Sequence, residues 1–287
     1  MTNIQGKNVL LTGASRGLGV YIARGLVKEG ANIICVARSQ SGLDQTCAEI
    51  QALGGKCSGF AADISNLQEL ASLTNRIQAA IGNIDILINN AGIELYRHFP
   101  DYSLTEINSI VATNLIAPIE LTGLILPGMM ANGSGHIVNI ASLAGKKGVA
   151  YNSIYSASKA GLVMWTDSLR QELHGQNVKI SVVCPGYVND AGMTANTQIP
   201  APKLAGVSTP HQVAKAVIKA IKKNQAEVIV NDNFLTEYFT KHIFALGQLY
   251  PRFTDNIYRA LGVVKLNQKR VKSYNKGTGN REQGTGN

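Results

Sequence analysis

A tyrosine and a lysine stand four residues apart at the start of a helical pattern, where their side chains could share a proton. Residues 155–159 read Tyr-Ser-Ala-Ser-Lys, so Tyr155 and Lys159 fall on one face of the predicted helix. A phenol has a pKa of about 10, and an ammonium ion about 4 Å away stabilises the phenolate by roughly 4 kcal/mol. The pair therefore predicts a general acid or base with a pKa lowered towards neutrality by as much as about three units. Taken alone, such a pair is more often a surface pair.

Ser142 is the third candidate for this chemistry. It lies thirteen residues before Tyr155 and follows residues 136–140, a short apolar run typical of a buried strand. Open α/β sheets bind their ligands beyond the carboxyl ends of the strands. The Ser142 hydroxyl is therefore expected to hydrogen-bond a substrate carbonyl at that edge.

A glycine-rich turn near the N-terminus predicts a dinucleotide site. Residues 12–19 read TGASRGLG and lie between a strand-like run and a helical pattern. Glycines let the backbone approach a ligand closely, and the N-terminus of the following helix attracts a pyrophosphate. A glycine turn alone is a weak signal, and here its position between strand and helix strengthens it.

The second strand-like run indicates which dinucleotide would bind. A carboxylate at its end would bond the ribose hydroxyls of NAD, but this chain has Arg38 there. Arg16, inside the glycine turn, could approach the same 2′-phosphate. The two arginines favour NADP(H), with the alternative that one or both are simply exposed.

Strand-like and helix-like runs alternate along the first 230 residues, as in parallel βαβ units. This pattern predicts an α/β fold, a doubly wound parallel sheet with helices on both faces. Thr209 and Pro210 form a helix-start signal, with Thr209 as the N-cap. The predicted strands are 8–12, 32–37, 57–62, 84–88, 136–140, 179–184 and 227–230, and the predicted helices are 17–29, 43–53, 67–81, 104–130, 153–173 and 211–223.

From about Lys7 to Val230 the chain resembles the short-chain dehydrogenase/reductase family. The resemblance implies a Rossmann fold with seven strands in the order 3-2-1-4-5-6-7. The order and spacing of the matching motifs make it highly specific. The motifs are TGASRGLG, Asp63, Asn89-Asn90-Ala91-Gly92, Asn114, Ser142, YSASK at 155–159, and Pro185-Gly186.

The resemblance also implies a role for each matching residue. Tyr155 would be the general acid in reduction and the base in oxidation, Lys159 would lower its pKa and bind ribose, and Ser142 would orient the carbonyl. Asn114 would hold a water that relays protons to Lys159, or else mark a helix kink, and Asp63 would bind adenine or else cap the next helix. The implied cofactor-binding set is Gly13, Ser15, Arg16, Gly17, Leu18, Gly19, Arg38, Asp63, Ile64, Asn90, Ala91, Gly92, Tyr155, Lys159, Pro185, Gly186 and Val188.

One position departs from the family pattern. After Pro185-Gly186-Tyr187-Val188 the family often has a threonine that touches the nicotinamide amide, and here the place is taken by Asp190. Val188 backbone groups are the alternative contact. The following segment, up to Pro210, is expected to form an apolar lid, which favours a lipophilic or acyl-type substrate.

Composition limits the remaining possibilities. The chain has 287 residues, 45% hydrophobic and 16% charged, which excludes a wholly disordered chain. No uncharged apolar run approaches about 18 residues and no signal-peptide pattern begins the chain, so a cytoplasmic protein without a spanning helix is expected. Four cysteines without a CxxC pair predict neither a disulfide framework nor a metal site.

The chain changes character after residue 233. We predict three segments: a catalytic domain over 1–233, an apolar helical extension over 234–264, and a basic disordered tail over 265–287. Residues 234–287 carry nine Lys/Arg and three Asp/Glu, which is six of the nine net positive charges. The extension could pack on the domain, cap a pocket, form a dimer contact or lie on a membrane. The tail lacks interleaved aromatic residues after Tyr274, so nucleic-acid binding is not expected.

Two classes of function fit these observations. The first is an NADP(H)-dependent oxidoreductase that interconverts a carbonyl and a secondary alcohol, assembled as a homo-dimer or homo-tetramer. The second is a catalytically silent dinucleotide-binding regulator on the same fold. The intact Ser142, Tyr155 and Lys159 favour the enzyme, because a regulator has no need of all three.

Overall fold

Parallel strands form the centre of the computed structural model, which describes residues 2–189, 199–201 and 206–282. The strands are β1 (Asn8–Thr12), β2 (Asn32–Ala37), β3 (Lys56–Ala61), β4 (Ile86–Asn89), β5 (Gly135–Ile140), β6 (Val178–Pro185), β7 (Tyr187–Val188), β8 (Val207–Ser208) and β9 (Glu227–Val230). The main sheet has seven strands in the order β3-β2-β1-β4-β5-β6-β9, while β7 and β8 pair separately. The expected Rossmann order is confirmed, since β9 is the seventh strand of the sheet.

Helices connect the strands and continue beyond the last one. They are α1 (Leu18–Lys28), α2 (Gln40–Ala52), α3 (Leu70–Ile81), α4 (Leu104–Val111), α5 (Ala117–Ala131), α6 (Ser153–Glu172), α7 (Pro210–Lys223), α8 (Phe234–Leu249), α9 (Pro251–Ala260) and α10 (Val263–Glu282). One π-helical turn, Ala112–Ile116, joins α4 to α5. The predicted start of α7 is confirmed, because the Thr209 side chain accepts a hydrogen bond from the Gln212 N–H and Pro210 is the first helical residue.

Both faces of the sheet are buried under helices. Successive strand residues point to opposite faces, so Leu10 and Leu11 of β1 enter different cores. Leu11 packs with Ile22 of α1 and Val217 of α7. Leu10 packs with Leu121 of α5 on the other side. This two-sided burial explains why the strands are almost continuously apolar.

The run from Leu104 to Ala131 is long and apolar enough, by length and composition, to cross a membrane. In the fold it is a core element. Leu121, Ile125 and Met129 of α5 are almost fully buried and pack in the same core cluster as the sheet residues Leu10 and Leu87. Its apolar character therefore has a sufficient explanation in burial against the sheet.

The expected disordered tail is wrong over most of its length, because residues 265–282 belong to helix α10. Asn267 and Arg270 of this helix are both 0% exposed. Asn267 donates to the Ala150 carbonyl at 3.1 Å, and Arg270 donates to the Tyr96 hydroxyl at 2.9 Å. A basic, polar composition predicted a solvated tail, but two polar residues of that segment are buried and hydrogen-bonded to distant parts of the chain.

The expectation of no disulfide is also wrong. Cys47 of α2 and Cys57 of β3 are bonded. The two residues lie on a helix and the strand that follows it, so tertiary packing brings them together without a CxxC spacing. The Cys35 sulfur of β2 lies 3.6 Å from that of Cys57, which makes a cluster of three sulfurs in one core.

Candidate active site

A large cavity of about 1170 Å³ lies at the carboxyl edge of the sheet. Its wall includes Gly13 after β1, Asn90 after β4, Ser142 after β5 and Pro185 at the end of β6. Parallel strands end at the same edge of a sheet, which is why residues far apart in sequence meet here. The cavity exceeds the roughly 300–1,000 Å³ usual for small-ligand sites, so it has room for two ligands.

The glycine turn closes one end of the cavity. Gly13 has φ 69°, and a Cβ there would lie 2.8 Å from the Cα of Ala91. Asn90 holds the turn from the side, because its Nδ2 donates to the carbonyls of Thr12 at 2.9 Å and Gly13 at 3.2 Å. Ser15, Arg16, Gly17 and Leu18 line the cavity with Gly13. Gly19 instead packs under the turn, where a Cβ would lie 2.2 Å from the Gly13 carbonyl oxygen.

Two of the predicted nucleotide contacts face each other across the same end. The Arg38 guanidinium lies 3.9 Å from the Asp63 carboxylate, and the Arg38 side chain is 66% exposed. Asp63 also accepts hydrogen bonds from the backbone N–H and hydroxyl of Ser65. Asp63 does not cap the next helical elements, whose cap residues are Asn66 and Glu69; one of its carboxylate oxygens bonds Ser65 and the other faces Arg38. Arg38, Asp63 and Ile64 all line the cavity.

Ser142, Tyr155 and Lys159 come together at the middle of the cavity. Ser142 and Tyr155 share a hydrogen bond between their side chains. The Lys159 ammonium lies 5.9 Å from the centre of the Tyr155 ring and donates to the Ile140 carbonyl at 2.8 Å. Helix α6 carries both Tyr155 and Lys159, and the turn after β5 carries Ser142.

The acidity of this group differs from the sequence expectation. Burial raises the pKa of Tyr155, the negative charge of Glu94 raises it further, and the Ser142 hydrogen bond lowers it. Burial also lowers the pKa of Lys159 to about 8. Lys159 does not lower the pKa of Tyr155 in this structure as expected. Both groups are buried away from water, and the Lys159 ammonium donates to the Ile140 carbonyl rather than to the phenol.

Asn114 lies behind the site rather than in its wall. It is 0% exposed and sits in the π-helical turn. Its Oδ1 accepts from the Ile93 N–H at 2.8 Å, and its Nδ2 donates to the Ile93 carbonyl and to Ser158. The helix-irregularity alternative for Asn114 agrees with its place in the π-helical turn, whereas the water relay to Lys159 stays a prediction. The side chain also ties α6 to the strand end that leads to Glu94.

The far side of the cavity is formed by the turn after β6. Pro185, Gly186 and Val188 line it, as the family motif implies. The Gly186 N–H donates to the Val230 carbonyl at 2.9 Å, which connects the turn to β9. Asp190 and most of the expected lid, residues 190–198 and 202–205, lie outside the described residues.

Sequence reasoning missed a polar cluster in the cavity wall. Glu94 accepts a hydrogen bond from Asn152 at 2.5 Å and another from the Tyr96 hydroxyl. Burial raises the pKa of Glu94, while these donors and the charges of Arg270 and Lys159 lower it. The position of Glu94, two residues after the Asn90-Ala91-Gly92 motif, was a usable signal. The position of Arg270, in a segment expected to be disordered, was not.

The C-terminal helices supply the rest of the wall. One face of α8, one face of α9 and the start of α10 border the cavity beside the catalytic residues. Of the roles considered for residues 234–264, packing on the domain and capping a pocket are both displayed by the geometry. The lining residues are Thr240, Ile243, Phe244, Ile257, Tyr258, Leu261 and Val263.

Comparison with known proteins gives consistent matches. A family model described as short chain dehydrogenase matches residues 7–200. "Ketoacyl reductase HetN" of Nostoc sp. is 61% identical over 273 residues, which is 95% of each chain. "3-oxoacyl-[acyl-carrier-protein] reductase FabG" of Vibrio cholerae is 35% identical over 224 residues, 75% of this chain and 89% of the relative. A crystal structure of a metagenomic short-chain oxidoreductase in complex with NADP has 32% identity and a TM-score of 0.70, and the match covers 81% of this chain and all of that one.

Proposed function

The chain belongs to the short-chain dehydrogenase family, and from that premise we propose that it is an NADP(H)-dependent reductase of a lipophilic, acyl-type ketone. The observation that carries the proposal is the junction in one cavity of Ser142, Tyr155 and Lys159 with the apolar wall of α8 and α9. The three catalytic side chains suit carbonyl reduction, and the apolar wall suits an aliphatic chain.

The residues at the glycine turn fit NADP(H). Gly13 and Gly17 keep the turn free of side chains beside the start of α1, where a pyrophosphate is favoured. Arg16 and Arg38 line the same end, and a 2′-phosphate would receive charge-assisted hydrogen bonds from them. The solved relative in complex with NADP supports this preference.

The proposed mechanism follows from the positions of three side chains. The reduced cofactor, when bound, supplies the hydride to the carbonyl carbon. The Ser142 hydroxyl donates a hydrogen bond to the carbonyl oxygen, and the Tyr155 hydroxyl donates its proton to that oxygen as negative charge develops there. Lys159 stabilises the resulting tyrosinate with its positive charge and holds the ribose hydroxyls, and Asn114 supports proton return to Lys159.

The acyl character of the substrate is supported by two independent features. The relatives from Nostoc sp. and Vibrio cholerae are described as a ketoacyl reductase and a 3-oxoacyl-[acyl-carrier-protein] reductase. In this chain, Ile243 and Phe244 of α8 with Ile257 and Leu261 of α9 give the cavity an apolar side. Each buried methylene contributes about 0.8 kcal/mol, so chain length should matter.

A series of 3-oxoacyl thioesters of increasing chain length tests this proposal through NADPH oxidation. We expect kcat/KM to rise about threefold to fourfold for each added methylene until the apolar side is filled, and to be far lower for small polar ketones. NADH serves as the cofactor control. Faster reduction of small polar ketones would overturn the substrate class, and binding of NADPH without turnover of any carbonyl compound would favour the silent regulator.

We further propose that the protein touches an anionic membrane surface through the outer face of α8. Leu235, Phe239 and Leu249 are exposed on this helix, and Lys241 of the same helix and Arg252 near the start of α9 are exposed as well. Apolar side chains flanked by cations suit the lipid headgroup boundary. The homo-dimer or homo-tetramer implied by the family stays a prediction, which light scattering tests.

A further inference from the structure

The C-terminal helices reach the loop that precedes the catalytic helix at three points. The Asn267 side chain donates to the Ala150 carbonyl at 3.1 Å, and Gln268 donates to the Tyr151 hydroxyl at 2.7 Å. Lys147 pairs with Asp255 of α9 at 2.7 Å. Because this loop leads directly into α6, the placement of Tyr155 depends on residues more than one hundred positions later in the chain.

Arg270 makes the deepest of these contacts. It is 0% exposed, and its guanidinium lies between the rings of Tyr96 and Tyr187, at 5.0 and 5.3 Å from their centres. It donates to the Tyr96 hydroxyl at 2.9 Å and to the Asn267 carbonyl-type oxygen Oδ1 at 3.1 Å. A buried guanidinium is costly unless a negative charge lies near, so the position calls for an anionic partner.

Glu94 is that partner, reached through one hydroxyl. Tyr96 accepts the hydrogen bond of Arg270 and donates its own to Glu94, which also accepts from Asn152. The chain of contacts runs from α10, through Tyr96, to a carboxylate in the wall of the cavity that holds Tyr155 and Lys159. Such a chain strengthens each of its bonds and fixes the position of the carboxylate.

We propose that Arg270 is a positioning residue that acts through Tyr96 to hold Glu94 as an ionised carboxylate in the cavity wall that it shares with Lys159, where the negative charge keeps the lysine in its ammonium form. Lys159 needs its own positive charge to stabilise a negative Tyr155 oxygen and to bond the ribose hydroxyls strongly. The inference rests on the proposed role of Lys159 in binding ribose and assisting Tyr155.

Burial raises the pKa of Glu94, and the hydrogen bonds of Tyr96 and Asn152 and the charges of Arg270 and Lys159 oppose that rise, so the carboxylate depends on these contacts to stay ionised. Burial brings the pKa of Lys159 down to about 8, and the charge of Glu94 opposes that fall. Cys184 of β6 also faces Lys159, but burial raises the pKa of its thiol to about 12, so it is neutral. The other groups facing Glu94 are Tyr96, Tyr155 and Tyr187, and burial raises the pKa of all three, so they carry no charge either.

Removal of the charge of Glu94 or of Arg270 should therefore shift the pH profile of kcat/KM. Below its pKa Lys159 is an ammonium ion, and above it a neutral amine, so activity should fall on the alkaline side near pH 8. With Glu94→Gln or Arg270→Met, the support for the ammonium form is lost and the alkaline limb should move down by about one pH unit. The double variant should shift no further than either single one, because both changes break the same chain of contacts.

The experiment measures kcat/KM for carbonyl reduction and the Kd of NADPH across pH 6–10 in the full-length protein. Lys272→Met is the matched control, since it removes an exposed cation from the same helix and should leave both profiles unchanged. Arg270→Lys, which restores a charge, should recover part of the shift. At pH 8, where about half of the wild-type lysine but little of the variants' lysine is an ammonium ion, NADPH should bind the variants about twofold to fivefold more weakly than wild type.

The proposal would be overturned if the alkaline limb lay at the same pH in wild type and variants. This holds even if the variants lose activity at every pH, because a merely structural role lowers activity without moving the limb. Glu94→Gln is nearly isosteric and keeps the test decisive if Arg270→Met does not fold. The NADPH-binding arm needs no carbonyl compound. A wild type that reduces no ketone would therefore contradict the proposed function and leave this test intact.

Discussion

Lys159 and Tyr155 have opposite responses to the same burial. The pKa of the ammonium falls to about 8 and that of the phenol rises, since each group loses the water that stabilises its charged form. The prediction from the spacing of Tyr155 and Lys159 includes only the attraction between their charges. In the folded protein their proton chemistry also depends on Glu94, on Ser142 and on the carbonyl of Ile140.

Arg38 provides the sharpest test of cofactor choice at the scale of one residue. In the variant Arg38→Asp, we expect kcat/KM for NADPH to fall by about a hundredfold relative to that for NADH, because a charge-assisted bond to the 2′-phosphate becomes a repulsion. Parallel kinetics with the two cofactors measure the ratio. Arg76→Asp, at an exposed position of α3, is the control for charge reversal, and an unchanged ratio in Arg38→Asp would show that Arg38 is only an exposed cation.

The predictable part of the site was the part encoded in short motifs. Ser142, Tyr155 and Lys159 were found because their chemistry and local spacing point to one site, and the structure brings them into one cavity. Glu94 and Arg270 were missed because their connection is tertiary: the bond between Tyr96 and Arg270 joins residues 174 positions apart. No local pattern encodes a contact of that kind.

Among the elements, α8 is notable for having two different apolar faces. Ile243 and Phe244 turn towards the cavity, while Leu235, Phe239 and Leu249 are exposed. Residues 235, 239, 246 and 249 recur at helical spacing and so share one stripe. Exposed apolar surface of this extent marks an interaction site, and the flanking Lys241 and Arg252 favour an anionic lipid surface as its partner.

Vesicle sedimentation tests this membrane contact at the scale of the helix. We expect the protein to sediment with phosphatidylcholine vesicles that contain phosphatidylglycerol, and the variant Leu249→Asp to remain in solution, because Leu249 is 73% exposed on the stripe. Leu53→Asp, which changes an exposed leucine at the end of α2, is the matched control. Equal binding of Leu249→Asp and wild type, or a dimer that dissociates in Leu249→Asp without any vesicle binding, would contradict the proposal.

Within the first 230 residues the helices were predictable from their periodic apolar faces, and the strands from short apolar runs that are buried on both sides. Helix α10 was not, since its buried side of Asn267 and Arg270 is polar and is stabilised by bonds to Ala150 and Tyr96 rather than by apolar area. Composition-based rules treat such a segment as solvated. The same reason explains the disulfide of Cys47 and Cys57, which depends on the packing of α2 against β3.

At the scale of the whole molecule, two parts of the chain line one cavity, and the sequence predicts the first part better than the second. The matched family region, residues 7–200, provides the glycine turn and the catalytic side chains. The C-terminal helices provide the apolar side of the cavity and the contacts that hold the loop before α6. Cofactor binding and substrate binding are expected to be separable only in part, since the glycine turn serves the cofactor and the apolar side serves the substrate, while Lys159 is proposed to serve both cofactor binding and reduction.

Turnover and NADPH binding by the variant Tyr155→Phe, measured side by side, test the central claim most directly. Loss of the phenolic hydroxyl removes the proposed proton donor while the ring remains, so we expect kcat for carbonyl reduction to fall by about a thousandfold and the Kd of NADPH to stay unchanged. Turnover in Tyr155→Phe within about tenfold of wild type would place the proton donor elsewhere and contradict the account.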